Sequence, residues 1–227
     1  MDLKAILFDK DGTLFDFEAT WAPWCRAVLA DLAGADTALA ATLADAVCFL
    51  PGPGTFRPDS PVLAETPPII AARLLPHLPR WALSALVDHL NARAAVAVPV
   101  PIVPLAPVLR ALRARGLVLG VATNDAVAPA RAHLAAAGVL GLFDRVIGCD
   151  SGFGGKPAPG PLLAFAAQTG LTPGSVAMVG DSAHDLVAAR AAGMVAVGLG
   201  DDSDLAALAD VMLPDIAALP AWLDRRG

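Results

Sequence analysis

From residue 107 onward the chain alternates short apolar runs with helical stretches, and the helical stretches close on glycines at 116, 138, 170 and 193. Glycine directly after a helix supplies the left-handed residue that ends it. The runs between, residues 117–122, 146–148, 176–179 and 195–199, are short and mostly apolar throughout. A strand buried on both faces reads this way, because helices cover both sides of the sheet it belongs to. The repeat therefore predicts an α/β fold: a Rossmann-like parallel sheet core with helices on both faces. A strand near Val211 and a helix over residues 216–225 would complete it. Residues 3–8 form one more apolar run, stopping at Asp9, and belong to the same sheet.

A long interruption separates that first strand from the others. Apolar residues recur at helical spacing over 21–32, 37–50 and 83–95, and Thr66 with Pro67 can open a further helix. A stretch rich in proline and glycine, residues 51–61, breaks the run. No strand alternation is visible here, so the insert is predicted to be an all-helical cap domain. Prolines at 99, 101, 104 and 107 mark its end. The expected division is residues 1–16 and 97–227 as the core and residues 17–96 as the cap.

The composition narrows the function. Of 227 residues 56% are hydrophobic, enough for a sizeable core, and the net charge is −6 with no basic run. A nucleic-acid partner needs a positive face, so none is expected. The apolar stretch 38–50 contains Asp45 and stops at Pro51, and residues 96–109 are crowded with prolines, so no membrane partner is expected. The N-terminal run is too short for a signal peptide. A cytoplasmic protein follows by elimination. Cys25, Cys48 and Cys149 are few, odd in number and far apart, which predicts buried free thiols.

Four polar clusters fall where strands end or in the loops that follow: residues 9–13, 123–125, 155–157, and 180–181 with Asp185. In open parallel sheets ligands bind outside the carboxyl ends of the strands, so all four are expected at one edge. Asp9, Asp11, Asp181 and Asp185 would then repel one another unless a cation offset them. Oxygen ligands of this kind favour Mg²⁺. Lys156 adds a positive charge, Thr123 a hydroxyl, and helix-start N–H groups can hold anionic oxygens. The set suits phosphoryl transfer.

The sequence Phe8-Asp9-Lys10-Asp11-Gly12-Thr13-Leu14 resembles the first motif of the haloacid dehalogenase-like hydrolases. Thr123 resembles the second, Lys156-Pro157-Ala158-Pro159 the third, and residues 179–185 with the following alanine-rich helix the fourth. The order is the family's, and the motifs span the core. The insert resembles the family's small helical cap, and phosphoglycolate phosphatase-like enzymes are the most similar branch. The resemblance implies a monoester phosphatase acting on a small phosphorylated metabolite, with Asp9 as nucleophile and Asp11 as acid and then base. It implies Mg²⁺ held by Asp9, the Asp11 carbonyl and Asp181, with Asp185 supporting the metal or Lys156. Thr123, Asn124 and Gly12 would lie at the phosphate, and Lys156 would screen Asp9 from it. Asp11 also argues against a dehalogenase, because halide departure needs no proton.

Other residues carry weaker signals. Arg57 in the cap loop could reach an acidic group of the substrate, and Phe15 could line the pocket. Lys10 stands where the family usually has an apolar residue. It could tune the flanking aspartates, touch substrate or extend to solvent. Trp21 and Trp24 read as cap core. His77, His89, His133 and His184 read as packing or surface residues. A phosphomutase or phosphotransferase on the same scaffold and a non-catalytic regulator phosphorylated on aspartate remain alternatives, and the chain is expected to be a monomer or homodimer.

Overall fold

A computed structural model of the chain describes residues 2–225. The elements, in chain order, are β1 (Ala5–Phe8), α1 (Phe17–Ala33), α2 (Thr37–Ala46), β2 (Phe49–Leu50), β3 (Thr55–Phe56), α3 (Pro67–Leu74), α4 (Leu83–Ala95), α5 (Leu105–Ala114), β4 (Val118–Ala122), α6 (Val127–Ala136), β5 (Arg145–Ile147), α7 (Gly160–Thr169), β6 (Val176–Gly180), α8 (Ala183–Ala192), β7 (Val195–Leu199), α9 (Ser203–Ala206), β8 (Val211–Leu213) and α10 (Leu219–Asp224).

Six strands form one parallel sheet in the order β5-β4-β1-β6-β7-β8. β1 lies between β4 and β6, with Phe8 opposite Val121 on one side and Val179 on the other. Its side chains alternate between two cores. Ile6 and Phe8 pack with Leu109, Leu134 and Trp222 of the helices on one face, and Ala5 and Leu7 pack with Phe165 and Leu186 on the other. That is the geometry behind the uninterrupted apolar run: every β1 residue is buried. The left-handed glycines predicted to close α7 and α8 do so, Gly170 at φ 68° and Gly193 at φ 70°.

The helices α1 to α4 gather around a third core, which includes Trp21, Leu43, Leu74 and Leu86. Asp16 caps α1, its carboxylate accepting from the Ala19 N–H at 2.8 Å. The two connections to the sheet domain run side by side: the Asp16 N–H donates to the Val100 carbonyl and the Ile102 N–H to the Leu14 carbonyl.

Two expectations for the cap need correction. It is not all helical, because β2 and β3 pair antiparallel, Phe49 opposite Phe56. Two-residue strands are too short to show alternation, and the proline and glycine residues of the break form the turn between them. For the same reason α2 ends at Ala46 rather than running to residue 50. Thr66 does sit at the N-cap of α3 with Pro67 following, but its side chain makes no capping hydrogen bond. The three cysteines are free, yet only Cys25 is buried, and Cys48 and Cys149 are half-buried. Among the described residues, no helix is long and apolar enough to cross a membrane.

Candidate active site

The three central strands β4, β1 and β6 run directly into Thr123, Asp9 and Asp181, and a cleft of about 700 Å³, mouth included, opens between these ends and the cap. Its floor includes Asp9, Asp11, Thr123, Asn124 and Lys156, five residues drawn from three of the four predicted clusters. This is the crevice at which strand order reverses about β1.

Lys156 links two carboxylates. Its Nζ donates to Asp9 Oδ1 at 2.5 Å and to Asp185 Oδ1 at 2.6 Å. Burial alone would lower its pKa, but Asp185 and Asp9 outweigh that and raise it. Asp185 is fully buried and also accepts from the Ser182 N–H and hydroxyl at the start of α8. Burial pushes the Asp9 carboxyl well above its ordinary range against the pull of Lys156, and Asp185, Asp181 and Asp11 push it the same way. Asp181 is raised to about 7, by burial first and by Asp185 next, while the Thr13 hydroxyl, which donates to it at 2.7 Å, works the other way.

Carboxylate oxygens of Asp9, Asp181 and Asp185 lie within 4.8 Å of one another. Three hard anionic donors so close, offset by one lysine, suit a divalent cation that takes oxygen ligands. Asp11 offers no side-chain oxygen to this group. Its carboxylate turns instead to Lys10, whose Nζ donates to it at 2.7 Å.

Glycine at position 12 is a steric requirement. Its φ is 80°, and a Cβ there would stand 1.9 Å from Asp181 Oδ2. Gly12→Ala should therefore cost about 2 kcal/mol or more, through left-handed strain and displacement of Asp181. Chemical denaturation measures this, and a variant as stable as the parent would exclude the contact.

Thr123 is buried, and its hydroxyl oxygen accepts from the Asp125 N–H at 3.1 Å, which leaves its proton to donate. The Asn124 side chain is occupied: it donates to the carbonyls of Ala64 in the cap and Lys156, and accepts from the Lys156 N–H at 2.8 Å. It fastens the lysine loop to the cap.

Lys10 does not extend to solvent. It is fully buried, with Nζ 2.7 Å from Asp11, 3.0 Å from Asp125 and 3.2 Å from His133 Nδ1, and it lies over the Trp21 ring at 4.9 Å. The Ala94 carbonyl, 2.8 Å from His133 Nε2, can only accept, which puts the imidazole proton on Nε2 and leaves Nδ1 to accept from Lys10. Burial first and Lys10 second lower the His133 pKa to about 4. Burial raises Asp125 to about 6 in spite of Lys10.

Two predicted residues do not reach the cleft. Phe15 is fully buried in the sheet-domain core against His133, and the ring that lines the cleft is Phe17. The chain turns between Lys10 and Phe15, whose N–H donates to the Lys10 carbonyl, and this points residue 15 inward. Arg57 is held in the cap by Asp45 at 3.1 Å and Asp59 at 3.5 Å, and it donates to Cys48 Sγ. Local acidic partners took it, where the sequence suggested a ligand. Asp125, Trp24 and His184 line the cleft although the sequence analysis gave them no site role. For Asp125 the signal was its place in the second cluster, and for His184 its place beside Asp185 in the fourth motif; Trp24 carries none.

A family profile described as haloacid dehalogenase-like hydrolase matches residues 3–193. Phosphoglycolate phosphatase of Escherichia coli K12 is 38% identical over 112 residues, which are 49% of this chain and 44% of that protein. A probable phosphatase, IndB, of Dickeya dadantii is 42% identical over 91 residues, 40% of each chain. The matched part of this chain thus spans less than half the length of these curated relatives. A solved HAD phosphatase from Thermococcus onnurineus aligns over 97% of this chain and 98% of its own, with TM-score 0.68 and 26% identity. With the profile spanning residues 3–193, through all four clusters, the chain belongs to the haloacid dehalogenase-like hydrolase family.

Proposed function

We propose that the protein is a Mg²⁺-dependent phosphatase of a small phosphorylated metabolite, working through a phospho-aspartate on Asp9. The observation that carries this reading is the meeting of Asp9, Asp11, Thr123 and Lys156 in one cleft, with Asp181 and Asp185 beside Asp9. The names of the curated relatives, phosphoglycolate phosphatase among them, support a phosphate monoester as substrate.

A carboxylate oxygen of Asp9 attacks phosphorus, the phosphorus–oxygen bond to the alcohol breaks, and the Asp11 carboxyl gives its proton to the leaving oxygen. Asp11, now ionised, takes a proton from water as that water attacks the phospho-aspartate, which releases phosphate and restores Asp9. Thr123 donates its hydroxyl, and the backbone following it its N–H groups, to the phosphoryl oxygens. Lys156 holds one oxygen of Asp9 and reduces its repulsion of the phosphate. Asp9, Asp181 and the Asp11 carbonyl would hold Mg²⁺, with Asp185 supporting it through the ring of contacts to Lys156. When bound, the cation supplies positive charge that offsets the cluster and the phosphate. The cap covers the cleft and excludes bulk water.

A screen of phosphate monoesters with Mg²⁺ tests the activity, with inorganic phosphate as readout. No release across a broad panel would end this reading.

The metal has its own test. The ordinary Asp pKa is near 3.8, and Asp181 is raised to about 7. A carboxyl raised in the folded state disfavours folding once it ionises, so the metal-free cluster removes stability as pH climbs from about 4 to about 7. His133, lowered to about 4, acts in the opposite sense, losing stability as pH falls from 6.5 toward that value. The metal-dependent increment isolates the carboxylates. Saturating Mg²⁺ should raise Tm by roughly 5–10 °C at pH 7.5 and by much less at pH 5. Equal increments at both pH values would remove the cluster as the binding site.

A further inference from the structure

The cleft has two chemically different ends. The floor carries the polar groups described above. The cap wall is mostly apolar and aromatic, with Phe17, Trp21, Trp24, Ile70 and Leu90 lining the space and Asn91 as its uncharged polar side chain. Among the described residues that line the cleft, Lys156 is the only lysine or arginine, and Asp9 and Asp185 already hold it. The one charged residue the cap contributes to the lining is Glu65.

One polar atom of the cap wall is unaccounted for. Trp24 is 9% exposed, and its Nε1–H has no hydrogen-bond partner. A buried donor left without a partner costs stability, and Trp24 is one of the side chains that line the cleft, so a ligand acceptor that reaches this N–H would satisfy it. The neighbouring Trp21 ring meets Trp24 edge to face at 5.1 Å, which fixes the indole against rotation.

We propose that the cleft selects the phosphate ester of a neutral alcohol with an aromatic or aliphatic body and a hydrogen-bond acceptor for Trp24, and that it disfavours an ester whose organic end carries a carboxylate. This rests on the phosphatase reading and narrows it. With the phosphate on the floor, the organic end of a small ester lies against the cap. A second carboxylate there, such as that of 2-phosphoglycolate, would lose its water against indole and aliphatic carbon and would meet Glu65 with no cation to pair with. A benzyl or similar group would bury apolar surface against the same wall.

The test compares benzyl phosphate with 2-phosphoglycolate in two ways. Turnover with Mg²⁺ gives kcat/KM for each, and binding to the Asp9→Asn chain, followed by tryptophan fluorescence, gives affinity without turnover. Benzyl phosphate is expected to lead by about tenfold or more in both. Parity, or preference for 2-phosphoglycolate in either, overturns the proposal, as does failure of benzyl phosphate to bind. Selective binding of benzyl phosphate without turnover of any ester keeps this proposal and defeats the phosphatase reading instead. Across benzyl phosphates that carry an acetyl or methoxy acceptor, Trp24→Phe should raise KM of the best substrate by roughly tenfold. It should do so in larger proportion than it lowers kcat, and with less effect on the unsubstituted ester. A uniform loss across the series would place Trp24 in packing alone and remove the acceptor from the proposal.

Discussion

Asp9→Asn should reduce phosphate release by roughly 10⁴-fold or more, for every ester the parent chain hydrolyses. The amide keeps the shape of the carboxylate and removes the nucleophile. Folding should survive the change, because the folded state already disfavours the charge. Burial and the neighbouring carboxylates of Asp185, Asp181 and Asp11 raise the Asp9 carboxyl. What the variant loses is one partner of Lys156, which keeps Asp185 at 2.6 Å. A Tm within a few degrees of the parent together with the loss of turnover assigns the loss to chemistry. Residual activity above about one part in a hundred, checked by mass spectrometry against deamidation back to aspartate, would exclude Asp9 as nucleophile.

Lys10→Met is expected to give the largest loss of stability. Methionine fills a comparable volume and has no charge, so the variant leaves Asp11 and Asp125 facing each other without the ammonium between them. Removing one partner of a buried ionic cluster typically costs about 3 kcal/mol, which for a chain of this size lowers Tm by roughly 6–12 °C. The pH dependence carries a sign. Asp125 is raised to about 6 even with Lys10 present, and without it the carboxyl rises further. The penalty is therefore smaller at pH 5, where Asp125 is protonated, than at pH 8. Lys10→Met combined with Asp125→Asn should recover part of the loss, and additivity of the two changes would show that the pair does not interact.

The contacts of Lys10 also join the cap to the sheet domain. Its ammonium reaches Trp21 of α1 and, through His133, the Ala94 carbonyl of α4. Asn124 makes a second such link through Ala64. The partners of these links, Lys10 and Trp21 aside, lie far apart in the chain, and both links stand next to residues of the cleft. The packing of the cap and the arrangement of the floor are therefore coupled by hydrogen bonds as well as by apolar contact.

The α/β core, the end of each major helix in it and the four clusters at or after the strand ends were legible in the order of the residues. Those features depend on backbone preference and apolar period, which a few neighbouring residues set: Gly170 and Gly193 end their helices wherever the rest of the chain goes. Near the site the same logic reached Asp9 and Thr123, because each directly follows a strand. It did not reach the environment of Lys10, the inward turn of Phe15, the capture of Arg57 by Asp45 and Asp59, or the unpartnered indole of Trp24. These depend on contacts that folding makes, most of them between residues distant in the chain. Coulomb attraction weakens as separation grows, and which groups come close to residue 10 was settled by folding that brought residues 125 and 133 beside it, more than a hundred positions away in the chain.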